Sequence, residues 1–141
     1  MNSNFYNELK YSKGGGHVTI REVSEKYGVT PDTLRYYEKM GMIPPVTRNA
    51  SGFRDYTQED IRWVELAKCM RASGLSVEAM VQYVKLYRQG DETIKQRLTL
   101  LLSQKAELLE KRKKIDDALI WLETKIEHYE DAAETGVLKW D

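Results

Sequence analysis

From Ile94 to Tyr129 one apolar side chain returns at every seventh position: Ile94, Leu101, Leu108, Ile115, Leu122 and Tyr129. Leu98, Leu119 and Ile126 fall four residues after members of that series, while Lys105 and Arg112 take the same alternate place at mid-seam. A repeat of seven keeps one stripe turned toward a single partner only when the segment is a long helix, so the spacing predicts a coiled-coil arm. The two mid-seam cations act on register and choice of partner. The residues before the arm form too small a domain to cover so long a stripe, which leaves packing on its own domain the weaker reading. A second copy of the chain, running antiparallel, is the expected partner. Gly90 breaks the preceding helix and Asp91 is expected to cap the arm, which spans 90–131. The tail 132–141, with Val137, Leu138 and Trp140, is expected to fold back across the dimer partner.

Upstream, Thr19-Ile20-Arg21-Glu22 has the form of a capping box and opens an amphipathic segment that closes at Gly28. A second helix follows at once. Thr30 is a good N-cap, and Pro31 is tolerated at the first helical position because its missing N–H would have had no partner there. Gly41 ends this helix and Pro44 forbids its continuation. Two short helices joined by a glycine turn form a helix-turn-helix pattern. The second helix carries Thr33-Leu34-Arg35-Tyr36-Tyr37-Glu38-Lys39. Arg35 and Tyr36 suit phosphates and base edges, and Thr33 is expected to approach the backbone or a base. Neighbouring residues on a helix point about 100° apart, so Tyr37, in line with Leu34 and Gly41, is the expected core member of the tyrosine pair.

Arg48-Asn49-Ala50-Ser51-Gly52-Phe53-Arg54-Asp55-Tyr56 follows, with turn chemistry at its centre and residues on either side that predict a short two-stranded wing. Thr57 caps the next helix, which Gly74 ends, and Ser76 caps another running to about Arg88, with Met80, Val81, Val84 and Leu86 inward. In this order of motifs the chain resembles the MerR family of transcription regulators over roughly residues 18–89. The resemblance implies a mainly α fold: a winged helix-turn-helix DNA-binding domain, then a long antiparallel coiled-coil dimerisation helix. It further implies that Arg35 and Tyr36 lie on the DNA-facing side of the recognition helix and that Arg48 and Arg54 clamp phosphates. Phe53 and Tyr56 are the aromatics that flank the wing arginine, and Tyr56 is counted with the DNA-contacting residues. The partners implied are a palindromic double-stranded operator, a second copy of the chain, and RNA polymerase at the promoter.

Charge gives this picture little help. Lys plus Arg total 22 and Asp plus Glu total 22, so no global field draws the chain onto DNA. Affinity is expected from locally clustered arginines and from dimerisation, which doubles the contacts. No apolar run approaches the roughly 18 residues of a membrane helix and no signal-peptide core opens the chain, which points to a cytoplasmic location. The leader, residues 1–17 with Gly14-Gly15-Gly16, receives no role. No nucleophile–base pair, phosphate loop or metal cluster marks an enzyme, and no cofactor is expected.

Cys69 is the only cysteine of the chain. Metal-sensing members of the family carry paired cysteines near the arm, so a lone one speaks against a metal sensor. The segment Arg62 to Arg71 instead resembles the AdhR and NmlR-like subgroup, in which a cysteine on this helix answers aldehydes and other electrophiles as part of a stress response. Lys68 and Arg71 favour a thiolate there, while Glu65 one turn earlier opposes it. Burial as a small apolar side chain is the other reading. Two further functions stay open: a constitutive repressor or architectural DNA-binding protein without cysteine sensing, and a coiled-coil adaptor whose winged helix binds protein, supported only by the chain's neutrality.

Overall fold

A computed structural model describes residues 18–139, so the leader and Trp140 lie outside the described residues. The described chain contains five α-helices: α1 (Ile20–Tyr27), α2 (Pro31–Met40), α3 (Gln58–Ala72), α4 (Val77–Gln89) and α5 (Ile94–Thr135). It divides into two compact units, one ending at Leu102 and one beginning at Ser103.

In the first unit, each helix start that the sequence marks is capped as its residues dictate. Thr19 and Glu22 exchange side-chain and backbone bonds of 3.2 Å each way, which satisfies two of the orphan donors at the start of α1. Thr30 takes the Thr33 N–H at 3.2 Å, Thr57 takes that of Asp60 at 3.1 Å, and Ser76 takes that of Ala79 at 3.2 Å. Gly41 sits at φ 77°, a left-handed conformation that lets Met42 N–H return to the Tyr37 carbonyl at 2.9 Å and close α2.

The capped helices bury one stripe each. Val23 of α1, Leu34 and Tyr37 of α2, Ile61, Val64 and Ala67 of α3, and Met80 and Val84 of α4 meet in one core with Val18, Met42, Ile43, Val46 and Tyr56. The partition of the tyrosine pair is as expected: Tyr37 is buried and Tyr36 is 44 % exposed. Met80, Val84 and Leu86 are buried and Val81 half-buried. Trp63 packs edge-on to Tyr87 (ring centroids 5.0 Å apart) and beside Tyr83 (5.5 Å).

Two local expectations change. The wing is reduced to a single antiparallel bridge between Arg48 and Arg54. Its turn is tight, because Asn49 Oδ1 accepts from both Ser51 and Phe53 N–H at 3.0 Å, and only two backbone bonds (Asn49 to Phe53, 2.9 Å; Asp55 to Thr47, 2.7 Å) remain to join the arms. Asp91 does not cap the arm. It belongs to a 3-10 turn, Asp91–Thr93, whose start has no side-chain cap; Thr93 Oγ1 donates instead to carbonyls of Leu86 and Gly90. Arg97 locks this junction, reaching Thr93 Oγ1 at 3.1 Å and the Gly90 carbonyl at 3.2 Å while its guanidinium lies over the Tyr87 ring.

The second unit carries α5 from Ser103 onward. The helix runs to Thr135, four residues beyond the boundary expected from sequence, and Gly136 at φ 76° ends it. The carbonyl of Lys139 then lies 3.0 Å from His128 Nδ1, so the tail turns back along its own helix. Trp121 is 70 % exposed, with Lys125 over its ring.

Candidate nucleic-acid interface

α2 follows α1 across the Gly28 turn and presents its outer face to solvent. Arg35 projects from that face half-exposed, steadied by Asp32 one turn earlier at 2.9 Å. An exposed pair at this spacing is worth a few tenths of a kcal/mol, so Arg35 is held in place and remains free to exchange Asp32 for another anion. Tyr36 is exposed beside it. Thr33 is half-buried, its hydroxyl oxygen accepting from Thr30 Oγ1 at 2.9 Å, which keeps the side chain close to the start of the helix.

The wing brings the other arginines to α2. Arg35, Arg48 and Arg54 line one cleft of about 220 Å³ with Thr19, Ile20 and Phe53. Three arginines, one from α2 and two from the wing, thus stand at one opening near the start of α1, where their guanidiniums are within reach of a phosphate backbone. Phe53 stands at its edge, 71 % exposed. Thr33, Tyr36 and Tyr56 do not line this cleft.

Acidic side chains do the fastening beneath it. Glu38 Oε1 accepts from Arg54 Nε at 2.7 Å, and Glu38 Oε2 accepts from Val46 N–H at 2.9 Å. Asp55 Oδ1 accepts from Val18 N–H at 3.1 Å. Asp60 Oδ2, itself buried, accepts from Thr57 N–H at 2.9 Å and Thr47 N–H at 3.2 Å. Three carboxylates of the head bond backbone amides and Arg54, and each arginine of the opening faces an acid, Arg35 at Asp32 and Arg48 and Arg54 at Glu38.

Tyr56 needs correction. Counted with the DNA-contacting residues from its place in the wing, it is fully buried, 0 % exposed, and its hydroxyl finds no hydrogen-bond partner among the described residues. Its backbone N–H bonds the Val18 carbonyl at 2.9 Å, which turns the side chain into the core. Burial pushes the Tyr56 hydroxyl up to about 12, while nearby Arg54 lowers it and Glu38 raises it by smaller amounts. The folded value lies above the ordinary one of about 10. The neutral hydroxyl's share of stability is thus fully present below pH ~10 and lost as the pH climbs toward ~12. Tyr56→Phe removes an unpaired buried hydroxyl and should stabilise the head by about 1 kcal/mol, shrink its alkaline unfolding, and leave DNA affinity unchanged. Urea melts at pH 8 and pH 11 with a parallel binding titration check all three.

Cys69 is exposed on α3, so burial as a small apolar side chain does not describe it. The cations expected to favour its thiolate are turned elsewhere: Lys68 Nζ donates to the Tyr27 carbonyl and Arg71 to the Leu75 carbonyl at 2.6 Å. Glu65 accepts from Tyr27 Oη at 2.7 Å. Burial, then the bond to Glu65, drives the Tyr27 hydroxyl well above its usual range. Among the described residues no group of three His, Cys, Asp or Glu side chains could hold a metal ion, and no helix is long and apolar enough to cross a membrane.

Two capped helices, a wing and an arginine-lined cleft define a winged helix-turn-helix reader. Comparison with known proteins narrows the class. The model of the MerR HTH family of regulatory proteins matches residues 18–86. The HTH-type transcriptional regulator AdhR of Bacillus subtilis is 48 % identical over 93 residues, 66 % of each chain. An uncharacterized HTH-type transcriptional regulator of Haemophilus influenzae is 32 % identical over 125 residues, covering 86 % of this chain and 90 % of that one. Among solved structures, a Listeria monocytogenes protein assigned to the MerR family superposes with a TM-score of 0.80 at 42 % identity, over 84 % of this chain and 90 % of that one. HiNmlR, a MerR family regulator lacking the sensor domain and bound to promoter DNA, gives 0.78 at 30 % identity, over 87 % and 98 %. The chain belongs to the MerR family of helix-turn-helix transcription regulators.

Proposed function

We propose that the chain acts as a cytoplasmic homodimer that grips the two halves of a palindromic DNA operator and distorts an overlong promoter spacer for RNA polymerase. The cleft formed by Arg35, Arg48 and Arg54 carries the DNA-contacting half of this reading, because it places three cations where one phosphate run can meet both recognition helix and wing. Thr33 and Tyr36 contribute from the neighbouring rows of α2. The DNA-bound state of HiNmlR supports the same use of this head. The exposed seam supports the dimer. Ile94, Leu98 and Leu101 in the first unit, and Ile115, Leu119, Leu122, Ile126 and Tyr129 in the second, are all exposed, with Leu108 half-buried. An apolar row of that length in water asks for a partner. Untwisting and bending a spacer costs a few kcal/mol, which two half-sites bound at once can supply.

Cys69 is the proposed switch. Its exposure opens it to a reactive aldehyde or other electrophile, and α3 packs in the same core as the recognition helix, so an adduct has a short mechanical path to DNA. Promoter output measured across a series of electrophiles should rise or fall several-fold in wild type and stay flat in Cys69→Ala. Equal responses from the two proteins would remove the sensing step and leave a constitutive repressor or architectural protein. The adaptor reading keeps the chain's overall neutrality as its only support.

A further inference from the structure

The DNA-contacting residues expected from sequence leave out a side chain that joins recognition helix and wing. Glu38 stands at the end of α2, mostly buried, with its two oxygens engaged in different directions. Oε1 takes Arg54 Nε–H at 2.7 Å and Oε2 takes Val46 N–H at 2.9 Å, while Arg48 Nη2 lies 4.0 Å from Oε1. Arg48 also donates from Nη1 to the Gly52 carbonyl at 3.0 Å, so both arginines of the bridge lie against this carboxylate.

We propose that Glu38 is a positioning residue for DNA binding: it holds Arg54 by Nε and thereby aims the terminal amines of that guanidinium at phosphate. The inference rests on the DNA-binding reading above and deepens it. Arginine has five N–H donors in a rigid fork, so fixing the inner one sets the direction of the outer four. Only Nε of Arg54 is engaged by Glu38, and the Arg54 side chain keeps about a fifth of its surface exposed beside the cleft. A carboxylate suits this double task because it accepts on both oxygens. Glutamine offers one acceptor oxygen and would turn an amide N–H₂ toward the second donor. A negative charge this close to a phosphate site would by itself weaken binding, so the sign of the effect separates the two roles.

The test is DNA affinity of the full-length protein as a function of salt, on an operator fragment, for wild type, Glu38→Gln, Arg54→Ala and the double variant, with thermal melts in parallel. Glu38→Gln should bind several-fold more weakly, lower the salt slope by about one unit, and add nothing to Arg54→Ala. A merely structural role moves the melt and leaves the slope alone. Equal or tighter binding by Glu38→Gln with an unchanged slope, or full additivity with Arg54→Ala, overturns the assignment. If Glu38→Gln fails to fold, Arg54→Lys decides. A lysine has one ammonium for both tasks, so the slope should fall by about one unit; an unchanged slope overturns the proposal. Wild type that fails to bind at low salt overturns the DNA-binding reading itself, an outcome distinct from any of these.

Discussion

Ile115→Lys combined with Leu119→Lys is expected to leave a folded monomer that has lost operator binding by a factor of about a hundred or more. The two positions lie four residues apart on the exposed seam, so two like charges enter a single stretch of the proposed interface. Burying an uncompensated lysine against a partner helix costs several kcal/mol, more than a seam of this kind can absorb. The head does not depend on these residues, because its core is built from Val18 to Val84. Each head alone then contacts one half-site, and the effective concentration that couples the second is gone. Sedimentation or light scattering reports the mass, and anisotropy on a palindromic fragment reports the affinity. A variant that stays dimeric would move the interface off this seam.

Leu34→Ala is the second large effect. Leu34 is fully buried in the core of the head, and its helix carries Arg35 and Tyr36 outward. Leucine-to-alanine changes at such sites cost about 2–5 kcal/mol. Against a total stability of some 5–15 kcal/mol for a small domain, that is a large fraction. The head should melt roughly 10–25 °C lower. Tyr36→Ala supplies the contrast from an adjacent residue: exposed, it should leave the melt within about 0.5 kcal/mol while weakening DNA binding. Similar melts for the two variants would contradict the placement of α2.

Much of the head is legible because its signals are local. Thr19, Thr30, Thr57 and Ser76 cap helices through bonds spanning three residues, and Gly28 and Gly41 end helices through their own backbone freedom. The split between Tyr36 and Tyr37 follows from 100° of rotation. For Cys69 the sequence leaves exposure and burial both open, and the structure exposes it. It lies five residues after buried Val64, about 140° around α3, and about 160° from buried Ala67. What the sequence does not show is the reach of side chains across the fold. Glu38 reads as an ordinary helix carboxylate until the chain brings Arg54, sixteen residues later, to its oxygen. Asp60 reads as first-turn charge, yet it also accepts from Thr47. Tyr56 was placed beside DNA by its neighbours in the wing, and the bond of its own amide to Val18 turns it inward.

The central claim is that two of these heads hold one palindrome and deform its centre. Hydroxyl-radical footprinting of the purified protein on the DNA upstream of its own gene, in about 50 mM salt where phosphate contacts are strong, tests it most directly. Two protected half-sites related by two-fold symmetry, with hypersensitive bases between them, are predicted. Uniform reactivity along the fragment would contradict the account, and protection of one isolated half-site would contradict the dimer.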